Sequence, residues 1–303
     1  MILFNALAPI FSLILLGALL RRLQFPGDSY WPGIERLIYY VLFPAMLIHQ
    51  LSRADLSGAL VFTFTLILAL SLLLISVFLV LLQLGWRCAS PQFTSLYQGA
   101  IRFNSYIALA VAGSVFDAQV FAIAALALGI NIVLVNIGCT LAFSLSNPQL
   151  QFSLARLARE LITNPLIAGC VIGLGINTLS LPLPQWTLET FRLLGATALP
   201  LGLIAVGVAL RLRRMQAQWS FIVSSSVLKF LVLPAILWGL AILWGLPASQ
   251  QAILVLLGAM PTATSAYILA RQLGGDAELM ANIITFQSLA AFIVIPAWLF
   301  WLI

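Results

Sequence analysis

Apolar residues do not alternate with polar ones along this chain. They run together in blocks long enough to cross a bilayer, broken by short polar stretches. A span needs roughly 20 mainly apolar residues to cross about 30 Å of hydrocarbon. Ten blocks meet that need: 2–20, 34–51, 59–84, 93–116, 119–145, 161–179, 190–210, 218–244, 251–272 and 279–303. The stretch 153–160 (SLARLARE) differs, since its apolar residues recur at helical spacing among arginines. It reads as a short amphipathic helix lying at the interface. The expected fold class is therefore all-α and integral to the membrane, with ten transmembrane helices.

Composition agrees with the pattern. The 303 residues are 63% hydrophobic and 7% charged, whereas soluble chains carry about 25% charged residues. The connections leave no room for a soluble domain, so residues 1–303 are expected to form a single membrane domain. The formal net charge of +6 comes from basic residues that flank the apolar blocks, so it is a topology signal and not a nucleic-acid footprint. With the N-terminus outside, the inner connections hold Arg21, Arg22, Arg36, Arg87, Arg156, Arg159, Arg211, Arg213, Arg214 and Arg271, and the outer ones only Arg53 and Arg192. That asymmetry orients a multi-pass protein of the inner (plasma) membrane with both termini outside. Trp86 and Trp219 near inner ends, with Trp244, Trp298 and Trp301 near outer ends, fit interfacial belts. Cys88, Cys139 and Cys170 are odd in number and far apart, and read as small apolar residues. The first block starts at Ile2 with no basic residue before it and Arg21-Arg22 behind it, so no cleavable signal peptide is expected.

An internal repeat sharpens this picture. A shift of 156 residues lays Pro9, Pro26, Pro44 and Pro91 on Pro165, Pro182, Pro200 and Pro247, and Gly17 on Gly173. After a three-residue slip, Gly99-Ala100 matches Gly258-Ala259 and Asp117-Ala118 matches Asp276-Ala277. The repeats are 1–145 and 161–303, five spans each, linked by the amphipathic helix. Five is odd, so the second copy enters the membrane inverted. Inverted repeats are a mark of secondary transporters, whose substrate site lies near the midplane where discontinuous helices meet.

The polar residues inside the blocks point to the same depth. Arg102 lies near the middle of the fourth span and Lys229 near the middle of the eighth, with no acid in any span core to neutralise them. A charge at that depth costs about 2.5–3.5 kcal/mol on insertion scales and asks for a purpose. An anionic substrate would supply the missing charge; snorkelling, or carbonyls at a helix break, would satisfy the cations structurally. The fourth span carries RFNSY (102–106) and the ninth MPTATSAY (260–267). Pro261 should break or kink its helix, and the half-helix starting near Thr262 would offer amides and a positive dipole end to an anion. Thr262, Thr264 and Ser265 add hydroxyls, faced by Asn104 and Ser105, with Tyr106 beside them. His49, the single histidine, sits near the outer end of the second span and reads as an interfacial residue before a proton carrier. Asn5, Asn131, Asn136, Asn282, Thr285, Gln287 and Ser288 either line a cavity or join helices by hydrogen bonds. Gly169 and Gly173 suggest close helix packing, and Asp117 and Asp276 suggest N-caps of the fifth and tenth helices.

These segments resemble the auxin efflux carrier (AEC) family of the bile acid/auxin carrier superfamily. The resemblance rests on Pro9-x₇-Gly17 with Arg21-Arg22, LFPAML (42–47), RFNSYIALA (102–110), KFLVLP (229–234) and GAMPTATSAYILARQLGGD (258–276). It implies a 5+5 inverted arrangement in which discontinuous helices 4 and 9 cross at the substrate site. It also implies an elevator-like split into scaffold and transport parts, a homodimer, and small carboxylates such as malate or malonate, or auxin-like acids, as substrates. Asn104 and Pro261 with its neighbours would be the crossover residues. One departure is local: the family's Gly-x-Pro after the asparagine is replaced by Ala108-Leu109-Ala110.

The expected function is a secondary transporter moving small organic anions by alternating access. A sodium-coupled bile-acid-type symporter, and a sensor or channel on the same scaffold, are the competing readings. Intramembrane enzymes need clustered acids or His-Asp pairs near the interface, and this chain has one histidine and no such cluster. The expected partners are the anion, the bilayer and H+ or Na+ as a coupling ion; no cofactor, metal or nucleic acid is called for.

Overall fold

The computed structural model describes residues 2–147, 153–210 and 218–302, leaving the expectations for Arg211, Arg213 and Arg214 outside the described residues. Among these residues the chain is all-helical. The elements are α1 (Ile2–Arg22), α2 (Trp31–Leu37), a π turn (Ile38–Leu42), α3 (Phe43–Leu51), α4 (Gly58–Trp86), α5 (Ser90–Ile101), α6 (Ser105–Val115), α7 (Ala118–Ser146) and α8 (Leu154–Ile162). They continue with α9 (Pro165–Thr178), α10 (Gln185–Ala209), α11 (Trp219–Val227), a second π turn (Leu228–Val232), α12 (Leu233–Leu243), α13 (Ala248–Gly258), α14 (Ser265–Leu273) and α15 (Ala277–Leu302).

Six segments among the described residues are long and apolar enough to cross a membrane: α1 from Asn5, α4, α7, α10, Trp219–Leu243 and α15. Helix α4 keeps Phe62, Leu73, Val77, Leu81 and Leu84 about half exposed or more, a surface that requires lipid because water would drive it to aggregate. The chain is a multi-pass membrane protein. The other four expected spans take different forms. The sixth is shorter than its apolar block, since Asn164 caps α9 by accepting the Leu166 and Ile167 amides at 3.0 and 3.3 Å, with Pro165 at the first helical position. Cap and proline fix a helix start there, so the residues before it fall into α8. The second is α2 and α3 joined by a π turn, and the fourth and ninth are each two helices with a break between.

Both π turns sit just before a proline, Pro44 and Pro234, at the start of the next helix. A proline ring clashes with the carbonyl four residues back and gives it no hydrogen bond. The widened turn accommodates the ring: Phe43 N–H bonds to Ile38 O, and Leu233 N–H to Leu228 O. Phe230, four residues before Pro234, has its carbonyl taken by the Trp298 indole N–H at 2.8 Å.

The chain divides into two compact units. Unit 1 comprises Met1–Val61, Tyr106–Gly129 and Ala158–Ala209, and unit 2 comprises Phe62–Ser105, Ile130–Leu157 and Leu210–Ile303. In unit 1 glycines let backbones meet. A β-carbon on Gly17 would run into the Ile204 carbonyl, and one on Gly207 into the Ile14 carbonyl, so α1 and α10 cross backbone to backbone. Helix α9 crosses α3 the same way, with Gly169 against Pro44 and Gly173 against Ile48. Arg21 donates to Val208 O at 2.7 Å, a cation at the C-terminal end of α10.

In unit 2, α5 packs on α11 and α15, with Gly99 facing Ser225 and Ile283. Ile222, Ala266, Ala270, Leu279, Met280, Ile283 and Ile284 form a core shared by α11, α14 and α15. Asp276 is its corner. It caps α15 through Leu279 N–H at 2.9 Å, accepts from Gln218 at 2.7 Å, gives its amide to Pro91 O at 3.0 Å and takes Ser95 Oγ on its carbonyl at 2.9 Å. Asp117 caps α7 in unit 1 through Val120 N–H at 2.9 Å.

Candidate functional site

Two helices of unit 2 stop inside its core. Helix α5 ends at Ile101, and Arg102 is extended (φ −68°, ψ 150°), with its amide still bonded to Gln98 O at 2.8 Å. Helix α13 ends at Gly258, and Ala259–Thr264 run without regular structure to α14. The two breaks bond to each other: Asn104 N–H donates to Pro261 O at 2.7 Å. Freed backbone groups at such depth must find partners within the protein or a wet cavity, and here side chains supply several.

Gln287 on α15 is the clamp. Its Oε1 accepts the Thr262 amide at 3.0 Å, and its Nε2 donates to Gly99 O at 3.0 Å. The Thr262 hydroxyl lies 2.7 Å from Gln287 Oε1 and 3.0 Å from Gly99 O. One amide therefore holds the ends of both breaks, and Gln287 and Thr262 are fully buried.

The two cations occupy different settings. Arg102 is half-buried and reaches Ser265 Oγ at 3.2 Å, tying the first break to the first turn of α14. Lys229 is 0% exposed, and its ammonium donates to Ile101 O, the last carbonyl of α5, at 3.4 Å. Lys229 projects from the widened turn before Pro234. The acids of unit 2 are Asp276 and Glu278. Asp276 precedes Gln287 by eleven positions, about 16 Å along a helix. Among the described residues no group of three or more His, Cys, Asp or Glu is placed to hold a metal.

Arg102, Asn104, Lys229, Pro261, Thr262, Ser265 and Gln287 are thus joined by hydrogen bonds at one place. Ser105 and Thr264 begin the helices beyond the breaks and are half-buried, while Ser265 is exposed. Ser288 is buried, and among the described residues its hydroxyl has no hydrogen-bond partner. Tyr106 belongs to unit 1, where its ring stacks on Phe43 at 4.6 Å between centroids. His49 also belongs to unit 1 and lines a cavity of about 380 Å³ with Gln50, Phe116, Asp117 and Arg192; Arg192 is held by Glu189 at 2.6 Å. Asn5 is exposed on α1. Sequence reasoning missed Gln98, a buried amide on α5 whose side-chain atoms have no partner among the described residues, and the carbonyls of Gly99 and Ile101. Gln98 sits one residue before the repeated Gly99-Ala100 pair, a position that could have drawn notice; backbone carbonyls leave no mark in side-chain identity.

No curated protein matches the chain. A family described as "Membrane transport protein" matches residues 122–299, more than half of the chain, and the match takes in Lys229, the second break and Gln287. Long apolar helices, two mutually bonded breaks and this match agree, and the chain belongs to the membrane transport protein family of the auxin efflux carrier type.

Proposed function

We propose that this chain is a secondary transporter that moves small organic anions, carboxylates such as malate or malonate or auxin-like acids, by alternating access. The observation that carries the reading is the pair of breaks joined by Asn104 N–H and Pro261 O, with Arg102 and Ser265 on their accessible side. Helices α6 and α14 begin immediately after the breaks, and a helix start is the positive end of its dipole. Arg102 adds a full charge, and Ser105, Thr264 and Ser265 add hydroxyls. Such a set accepts an anion in the way discontinuous helices of secondary transporters do.

The ten segments act as crossings, in a 5+5 inverted repeat with both termini outside. Unit 1 supports this. Gly17 meets Ile204, and Gly173 meets Ile48; adding 156 to 17 and to 48 gives 173 and 204, so the two close contacts exchange under the repeat. Unit 2 holds both breaks and serves as the carrying part of an elevator-type cycle, with unit 1 as scaffold.

The test is uptake of radiolabelled malate and malonate by proteoliposomes, with Arg102→Gln as the variant. The variant should lose at least about tenfold in uptake, the size expected when a charged hydrogen-bond donor is removed. Its thermal midpoint should hold, because Arg102 is half-exposed. Wild-type uptake by Arg102→Gln would sink the anion reading.

A further inference from the structure

Helix α8 (Leu154–Ile162) has nine residues, about 13 Å of helix, and cannot cross about 30 Å of hydrocarbon. Its residues are nonetheless sorted by face. Turning about 100° per residue, Leu154, Leu157, Leu161 and Ile162 fall on one side, and the positions of Arg156, Arg159 and Thr163 on the other. A helix that packed its whole apolar side on the protein would be an ordinary core element. This one packs an edge. Leu157 is buried at 7% exposure, whereas Leu154 is 72% and Ile162 79% exposed. Arg159 is exposed too, and among the described residues it forms no ion pair. Glu160 follows Arg156 by four positions on the same side, so it offsets at most one of the two arginines. The end of the helix is closed without them: the Thr163 amide and hydroxyl both donate to Arg159 O, at 2.9 and 2.7 Å. The boundary between the two compact units falls inside α8, between Leu157 and Ala158. A short helix with a bare apolar edge opposite arginines matches an element lying in the headgroup layer.

We propose that α8 is a docking surface for anionic phospholipid, and that the anionic lipid content of its leaflet sets the transport rate. Leu154 and Ile162 enter the acyl boundary, and Arg156 and Arg159 take the phosphodiester headgroups. Charge selects the lipid: an arginine near an anionic surface is worth about a fivefold gain in binding, which a zwitterionic surface does not supply. Bound lipid then pins the segment in which one unit passes into the other. The rate effect rests on the transporter reading above; the lipid contact does not.

The experiment has two readouts on the full-length protein. The first is the thermal unfolding midpoint in detergent with added phosphatidylglycerol or phosphatidylcholine at equal mole fraction, which needs no transport. The second is radiolabelled malate uptake by proteoliposomes across a series of phosphatidylglycerol fractions. Phosphatidylglycerol should raise the wild-type midpoint above its value in phosphatidylcholine, since a ligand of the native state stabilises it. The Arg156→Gln, Arg159→Gln double variant should match wild type in phosphatidylcholine and lose that increment. Its phosphatidylglycerol fraction for half-maximal uptake should rise about fivefold or more, the worth of one arginine at an anionic surface. Leu154→Asn with Ile162→Asn should weaken stabilisation by either lipid. Wild-type midpoints and uptake equal in the two lipids overturn the proposal, even if no variant folds. So does a double arginine variant with the wild-type response, or inorganic phosphate reproducing the increment, which would mean a site for the free anion. A change of oligomeric state in the Leu154, Ile162 variant with its lipid response intact would assign the apolar edge to a second copy of the chain and overturn it as well. Absence of malate uptake by the wild type in every vesicle would instead count against the anion reading, with the midpoint series still deciding the role of α8.

Discussion

The two helix breaks in unit 2 reach similar ends by different means. The second carries Pro261, which denies its helix an amide, and it spans Ala259–Thr264. The first spans Arg102–Asn104 and is followed by Ala108-Leu109-Ala110, three residues that favour a helix and contain no proline. It breaks all the same. Its loose ends are taken up from outside the helix: Pro261 O accepts the Asn104 amide, Gln287 and Thr262 reach Gly99 O, and Lys229 reaches Ile101 O. A proline can impose a break locally, whereas this one is imposed by partners in the second break, on α15 and on the turn after α11.

If that contrast holds, the largest effect belongs to the shared clamp. Gln287→Leu leaves the buried Thr262 amide without an acceptor and strips one donor from Gly99 O. The loss should be about 2–4 kcal/mol in stability, read as a lower thermal midpoint, with malate uptake abolished. Next come the repeat-matched glycines. A β-carbon at Gly258 would lie 3.0 Å from Pro234 Cα and 3.1 Å from its nitrogen, backbone atoms that cannot yield. Gly258→Ala should therefore cost about 1–3 kcal/mol by overpacking. At Gly99 the nearest atoms are the Ile283 Cγ2 at 2.9 Å and the Ser225 side chain at 3.2 Å, which can turn aside. Gly99→Ala should cost less than Gly258→Ala, offset in part by about 1 kcal/mol of helix propensity; the reverse order would break the comparison. Pro261→Ala should be mildest, about 0.4–1 kcal/mol through the looser unfolded chain, with uptake kept, because the Pro261 carbonyl and the Thr262–Gln287 bonds remain.

The apolar blocks announced the membrane and most helix positions, because burial in lipid is written in side-chain hydropathy. Pro261 and the polar RFNSY run marked the depth of the site. The first break was harder to read, since its cause lies in Gln287 and Lys229, far along the chain. Lys229 illustrates the limit. Sequence alone left it between substrate and carbonyl; the structure sets it on Ile101 O, a group every residue type carries. Tyr106 follows Ser105 directly, yet it belongs to unit 1 and packs there on Phe43. The shortened α9 shows the opposite case, where Asn164-Pro165 was a legible start signal overridden in the reading by continuous hydropathy.

Helices α1 and α10 have a mechanical consequence of their own. Each seats a carbonyl of its neighbour in the notch of a missing side chain, Ile204 at Gly17 and Ile14 at Gly207. Two rods keyed at two points cannot slip lengthwise by a turn unless they first part, and parting would open a seam along both. The pair is a lock, so whatever moves during a transport cycle, these two must travel or stand still together.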